Sequence, residues 1–315
     1  MPMRLAALLC CWLALGAIAS DTNSLPRSFA YVLQAESLAR QRADAVAKLA
    51  ACDRDWLVLD AAYTTGSDGA WQPAELAAIR AGKPSRKVLA YLSIGEAEDY
   101  RSYWQKSWDA NHDGSPDAGA PDFLLANNPD WQGNYRVKYW RPEWQRLILA
   151  QADRIVAAGF DGVYLDIVDG FEFFEQDGKR FLDNRPNPET GHTYREDMVA
   201  WVRLLAAHVR ERKPGALVIP QNGSQLLAKR EFLEVVDGIG IEDLFGNGDK
   251  RQPRSHTSEV LADLKPLRAA GKPVLVIEYA RKAALREEVR KQAQAEQCIL
   301  LITDRQLKTL GESAP

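Results

Sequence analysis

Eight short apolar runs alternate with amphipathic stretches along this chain, and that alternation constrains the fold more than any other feature. The runs cover 28–33, 56–62, 88–96, 162–167, 217–222, 238–242, 274–279 and 299–303, each of strand length and bounded by turn residues. Helical patterns fill most of the gaps. Residues 36–51 are rich in Ala and Leu, while Pro73 and Pro142 each stand where a first helical turn accepts proline. Gly159 closes the stretch that Pro142 opens. Thr193 and Glu196 form a capping-box pattern ahead of a helix reaching Arg212, and 224–235, 257–270 and 283–296 complete the series.

Eight such repeats predict an α/β chain folded as a single (β/α)8 TIM barrel. An open doubly wound sheet would carry a glycine-rich phosphate turn after its first strand, and Leu33-Gln34-Ala35-Glu36 is not one. For an eighth helix, only Asp304–Leu310 remain. The longest excursion, 97–141, follows the third strand and is therefore expected over the catalytic face.

With 46% hydrophobic residues, 315 positions can build one large core. A formal charge of −3 without any run of Lys or Arg gives no footprint for nucleic acid. Residues 1–19 read as a removed leader: Arg4 precedes LAALLCCWLALGAIA, which ends in a small-x-small site at Ala17-Ile18-Ala19. A secreted or periplasmic domain over 20–315, with no membrane association, is the expectation. Cys52 and Cys298 would then be the remaining cysteines, and their pairing stays open.

The strand ends carry the chemistry. In order they are Gln34, Asp60, Glu96, Asp166, Asn222, Glu242, Glu278 and Asp304, six of them acidic. Turn chemistry favours Asp at such places but gives no reason for three Glu. In strand four, Val163, Leu165 and Ile167 share one face, which leaves Tyr164 and Asp166 on the other. In strand six, Ile239 and Ile241 turn to the helices, while Gly240 and Glu242 turn inward. Two inward carboxylates separated by one strand suit glycoside hydrolysis, in which one protonates the leaving oxygen and the other attacks or activates water. No His ends a strand as a zinc ligand would, and no G-x-S-x-G elbow occurs. A carboxylate-held Mg²⁺ enzyme and a silent polysaccharide-binding barrel remain as alternatives.

Four segments carry a resemblance: YLSIGEAEDYRSYW (91–104), GFDGVYLDIVDGFEFF (159–174), PQNGSQLL (220–227) and VDGIGIEDLF (236–245). They resemble glycoside hydrolase family 114, exported (β/α)8 endo-α-1,4-polygalactosaminidases related to the hydrolase domains that trim Pel-type polysaccharide. The likeness runs from about residue 29 to 303; the seventh strand departs from it, with Glu278 where Asp is expected. It implies cleavage of an α-1,4-linked galactosamine polymer by the strand-four Asp and strand-six Glu. By analogy, Asp166 is the nucleophile and Glu242 the general acid/base. Asp60, Glu96, Asp169 and Glu278 are then expected to face the ammonium groups of a cationic substrate, with Asn222 and Tyr279 on its hydroxyls. Glu172 reads as a solvated acid.

No cofactor is required. In the long loop, Asp109, Asn111, Asp113 and Asp117 match the opening of a calcium loop, D-x-N-x-D-G, although Ala120 replaces the twelfth-position Glu of an EF-hand. A looser structural Ca²⁺ site, completed by Asp117 or Asp122, is one reading, and an Asx-rich turn is the other. Trp104, Trp108, Trp131 and Trp140 are expected as a group to pack that loop rather than stack on sugars.

Overall fold

A computed structural model describes residues 25–64 and 69–314, so the leader expected over 1–19 lies outside the described residues. All eight expected strands form: β1 (Phe29–Val32), β2 (Trp56–Asp60), β3 (Lys87–Ser93), β4 (Gly162–Asp166), β5 (Leu217–Pro220), β6 (Ile239–Glu242), β7 (Val274–Glu278) and β8 (Ile299–Ile302). β1 to β5 pair in parallel in chain order, as do β6 to β8. A parallel bridge from Gln221 to Gly240 joins the two sets, supported by Asn222 N donating to Gly240 O at 2.8 Å.

Seven helical connections alternate with these strands. They are α1 (Arg42–Ala51), α2 (Pro73–Ala81), α3 (Pro142–Ala158), α4 (Tyr194–Arg212), α5 (Arg230–Val235), α6 (Arg254–Asp263, continued by Lys265–Ala269) and α7 (Ala283–Ala295). Local sequence sets their ends. Pro142 starts α3, and Gly159 stops it at φ +103°, where glycine alone escapes the Cβ penalty. Thr193 and Glu196 close a capping box on α4 as their spacing predicts.

No helix follows β8 among the described residues. The chain instead turns at Asp304–Thr309 and returns as β9 (Glu312–Ala314), antiparallel to β8. Ser313 Oγ accepts from Phe29 N at 3.0 Å, and Leu307 O accepts from Leu33 N at 3.0 Å. This returning segment therefore links β8 to β1 where an eighth helix was expected.

Strand parity divides the core in two. Tyr31, Tyr91, Tyr164, Ile219, Ile277 and Tyr279 belong to the interior cluster, whereas Val163, Leu165, Ile239 and Ile241 pack under the helices. Ile167 departs from the expectation: β4 ends at Asp166, and Ile167 turns out of the strand at φ +57°. At the opposite end of the barrel lies Arg86, 1% exposed. Its guanidinium donates to the carbonyls of Leu49, Ala50, Ile79 and Arg54 at 2.7–3.0 Å, and also to that of Cys52. It thus ties together the C-terminal ends of α1 and α2.

The excursion after β3 is ordered. Glu96–Glu98, Trp131–Val137 and Leu124–Asn128 form a three-stranded antiparallel sheet, so the third apolar run breaks after Ser93 and Glu96 opens a new strand. Trp108 is buried against Phe123, and Trp104 packs on Tyr135 with ring centroids 4.6 Å apart. Trp140 packs on Phe174 and Tyr194. Trp131 is the exception, 54% exposed. Cys52 and Cys298 are free thiols. Cys298 is buried with its sulfur beside Arg268, and burial pushes it up to about 11.

Candidate active site

The tops of β4, β5 and β6 share a backbone device. The residues directly after Asp166, Gln221 and Glu242 are Ile167, Asn222 and Asp243, at φ +57°, +57° and +51°. Left-handed geometry in a β-branched residue such as Ile167 costs on the order of 1–3 kcal/mol, and it persists only where surrounding contacts impose it. Here it lets Ile167 N donate to Asp166 Oδ1 at 2.8 Å. Gly95 packs against the turn, where any Cβ would come within 2.3 Å of Ile167 O.

Asp166 accepts two further hydrogen bonds, from Tyr91 Oη to Oδ2 at 2.8 Å and from Gln221 Nε2 to Oδ1 at 3.0 Å. Burial raises its pKa to about 6; the Tyr91 and Ile167 donors pull it down, and the charge of Glu98 pushes it up. Glu242 caps β6. Burial lifts it further, to about 7, and the Asp166 charge adds to that rise against the opposing hydrogen bond from Tyr279 Oη. Asn222 Oδ1 anchors the Glu242 backbone N–H at 3.1 Å.

A tyrosine layer floors these carboxyls. Tyr31 and Tyr164 have ring centroids 5.1 Å apart, and burial together with the charges of Asp166 and Glu242 raises both phenols well above the ordinary range. A Cβ at residue 240 would meet Tyr164 Oη at 1.8 Å, so only glycine leaves room for that ring beneath Glu242.

Asp169 joins the same group. Its pKa is pushed well above the carboxylate range by burial and then by the charges of Glu172 and Asp166, while a hydrogen bond with the Asn222 side chain opposes the rise. Glu172 is half-buried and accepts from Gln225 Nε2 at 2.7 Å, which corrects its reading as a solvated acid.

Three expected substrate contacts are already engaged by partners within the protein. Asp60 has both oxygens held by Arg101 at 2.7 Å, so it offers no free carboxylate. Glu96 is 3% exposed and is bonded by the side-chain amides of Asn128 and Asn134 at 2.9 and 3.4 Å. Glu278 is fully buried; it accepts from the backbone N–H groups of Phe245 and Gly246 at 2.7 and 3.0 Å. Burial nonetheless pushes it up to about 8. Its parity explains the difference, because Leu275, Ile277 and Tyr279 occupy the interior face of β7.

Tyr91, Gln221, Glu98 and Arg101 were not marked in the sequence. Tyr91 was within reach of the parity rule, since it shares the interior face of β3 with Leu89. Glu98 and Arg101 form an ion pair at 2.5 Å that no strand-end rule would find.

In the long loop, Asp109 accepts from Asp113 N, Gly114 N and Tyr135 Oη, and Asp117 accepts from Ala110 N. Asn111 Nδ2 donates to Asp113 Oδ2 at 2.9 Å. Among the described residues, no group of three or more His, Cys, Asp or Glu side chains is placed to hold a metal ion. Melting the protein in Ca²⁺ and in EDTA tests the calcium reading. With these oxygens already hydrogen-bonded, we expect the two midpoints to coincide; a rise of several degrees in Ca²⁺ would assign a cation to the loop.

Among the described residues no helix is long and apolar enough to cross a membrane. A relative from Deinococcus radiodurans, uncharacterized, is 40% identical over 78% of this chain and 72% of its own length. An uncharacterized Methanocaldococcus jannaschii protein is 32% identical over 83% and 69%. Among solved structures, the glycoside hydrolase domain of PelA from Pseudomonas aeruginosa superposes with a TM-score of 0.65 at 22% identity, covering 91% of this chain and 98% of that domain. Aspergillus fumigatus Ega3, solved in complex with galactosamine, gives 0.63 at 17% identity, covering 91% and 95%. At those identities the superpositions establish a shared fold, that of TIM-barrel enzymes. The model of glycoside hydrolase family GH114 matches residues 17–314, nearly the whole length, and the chain therefore belongs to that family of glycoside hydrolases.

Proposed function

We propose that this hydrolase cleaves α-1,4-linked galactosamine-containing polysaccharide internally, outside the cytoplasm, with Asp166 as nucleophile and Glu242 as general acid/base. One observation carries the assignment: two buried carboxyls stand inward at the tops of β4 and β6, near enough that the Asp166 charge raises Glu242, and burial lifts them to about 6 and about 7. Two coupled carboxyls in unlike surroundings divide into a base or nucleophile and an acid, and here the hydrogen-bond donors set the division. Three donors steady Asp166 as an anion. Glu242, raised by burial and by its neighbour's charge, keeps its proton longer. In the first step Asp166 bonds to the anomeric carbon as the glycosidic bond breaks, and Glu242 gives its proton to the leaving oxygen. In the second, Glu242 takes a proton from water, the water oxygen bonds to that carbon, and Asp166 is released.

The substrate class rests on the half-buried acids around the pair. Asp169 and Glu172 form no salt bridge among the described residues and burial raises both, so a sugar ammonium group would favour their ionised forms. The likeness to a protein solved with galactosamine supports the same class. Release of reducing ends from α-1,4-galactosamine polymer, set against amylose, is the test. Turnover of the amine polymer alone is expected, and equal turnover of amylose would overturn the reading.

The pH profile follows from the same pair. Activity requires Asp166 ionised and Glu242 protonated, so kcat/KM should rise with pH through about 6 and fall above about 7, a narrow bell. A profile flat from pH 5 to 9 would remove this pair from the chemistry.

A further inference from the structure

Next to Asp166 stands a buried ionic group that the mechanism leaves without a role. Arg101 holds both oxygens of Asp60 at 2.7 Å and Glu98 Oε2 at 2.5 Å. The Glu98 side chain is 3% exposed. Its other oxygen, Oε1, accepts from Tyr100 Oη at 2.6 Å and lies 3.3 Å from Tyr91 Oη. That same phenol stands 2.8 Å from Asp166 Oδ2. A phenol has one proton to donate, so Tyr91 can serve only one of the two carboxyls fully at a time.

The two oxygens of Asp166 are engaged unequally. Oδ1 accepts from Ile167 N and from Gln221 Nε2, whereas Oδ2 accepts from Tyr91. Oδ2 therefore keeps more of its lone-pair capacity for the anomeric carbon. Once it carries the sugar as an ester, or a proton, Oδ2 is a poor acceptor. Tyr91 is buried, and its hydroxyl would then lack a partner at a cost in free energy. Glu98 Oε1 supplies one after a turn of the O–H bond, with no proton changing hands. Burial raises the Asp166 carboxyl and the Glu98 charge adds to the rise, so a second acceptor gives a reason to keep that charge there. Arg101, clamped by Asp60, fixes Glu98 in place.

Other groups act on the two carboxyls without bonding to Tyr91 Oη. Glu242 from β6, Asp169 from the turn after β4, Glu96 from the excursion sheet, and the floor phenols Tyr31 and Tyr164 face Asp166. Asp99, Tyr100 and Tyr103 face Glu98.

We infer that Tyr91 and Glu98 are positioning residues that form a hydrogen-bond switch: Tyr91 steadies Asp166 Oδ2 while that oxygen is free, and turns to Glu98 Oε1 when Oδ2 is bonded to the sugar. The inference rests on the proposed role of Asp166 as nucleophile and adds what its neighbours do across the reaction.

Glu98→Gln removes the second acceptor while keeping the shape. Arg101 Nε is a donor and draws the amide oxygen, which leaves Nε2 facing Tyr91. With an aryl α-galactosaminide that has an acidic phenol, the rate of the initial burst should fall by about tenfold in Glu98→Gln, the scale of one hydrogen bond to a charged group. When Tyr91→Phe is already present, the same change should cost about threefold or less, because the two residues act as a unit. Equal losses in both backgrounds, or no loss in either, would overturn the switch. Carbon-13 NMR of the Glu98 carboxyl needs no turnover, since protonating Asp166 also releases Tyr91. Its shift should respond as Asp166 titrates through about pH 6, and Tyr91→Phe or Asp166→Asn should abolish the response. A response that survives Tyr91→Phe, or none in the wild type, sinks the switch even if galactosamine polymer is cut. A response lost in Tyr91→Phe supports it even if no polymer is cut, which would count against the proposed activity alone.

Discussion

Asp166→Asn and Glu242→Gln should each lower turnover of α-1,4-galactosamine polymer by about 10³-fold or more, on the scale of removing a nucleophile or a general acid. Both replacements are nearly isosteric, so the fold should survive and circular dichroism should match the wild type. The two losses should differ in kind. An aryl glycoside with an acidic phenol leaves without protonation, so on that substrate Glu242→Gln should recover much of its bond-breaking rate while Asp166→Asn should not. The reverse pattern would exchange the two roles, and unchanged turnover in both variants would end the mechanism. Asp166→Asn should also lower the pKa of Glu242, because the Asp166 charge contributes to its rise. The alkaline limb of whatever activity remains should then move to lower pH.

The second large effect is on stability, at the far end of the barrel. Arg86→Ala should cost about 3–5 kcal/mol, since it leaves several buried carbonyl oxygens without a donor and opens a cavity among them. Those acceptors belong to Leu49, Ala50, Cys52, Arg54 and Ile79, where α1 and α2 end and β2 begins. Lysine should not rescue, because a single ammonium cannot reach acceptors fanned around a planar guanidinium. Urea unfolding measures the loss as a shift in midpoint at constant slope. A loss below about 1 kcal/mol would mean that water replaces the guanidinium at little cost. The folded fraction should keep its kcat, because Arg86 lies opposite the carboxylate pair.

Much of this was legible in the chain because local rules govern it. Eight strands and seven helical connections follow from hydrophobic period, proline placement and the Thr193–Glu196 cap. Asp166 and Glu242 were legible too. Tyr164 and Gly240 each stand two residues before a carboxylate on the same strand face, and a two-residue period carries the interior face up to the acid.

Glu278 shows where that reasoning stops. β7 is buried on both faces, as parallel strands are, so VLVIE is apolar throughout and does not reveal which alternate residues face inward. Its register against β6 and β8 decides, and Glu278 goes to the helix side to bind the backbone of the β6 loop. The engagement of Asp60 was hidden for a related reason. Its partner Arg101 lies 41 positions away, in the excursion that folds back over the mouth.

The sequence by itself determined the fold class, the strand and helix order and the inward carboxylate pair, since period and capping act over a few residues. Only the tertiary structure decided which surplus acids are neutralised by arginine or by backbone donors, and that β9 stands in for an eighth helix. Those outcomes depend on contacts between distant segments, where burial and long-range charge set what each carboxylate can do.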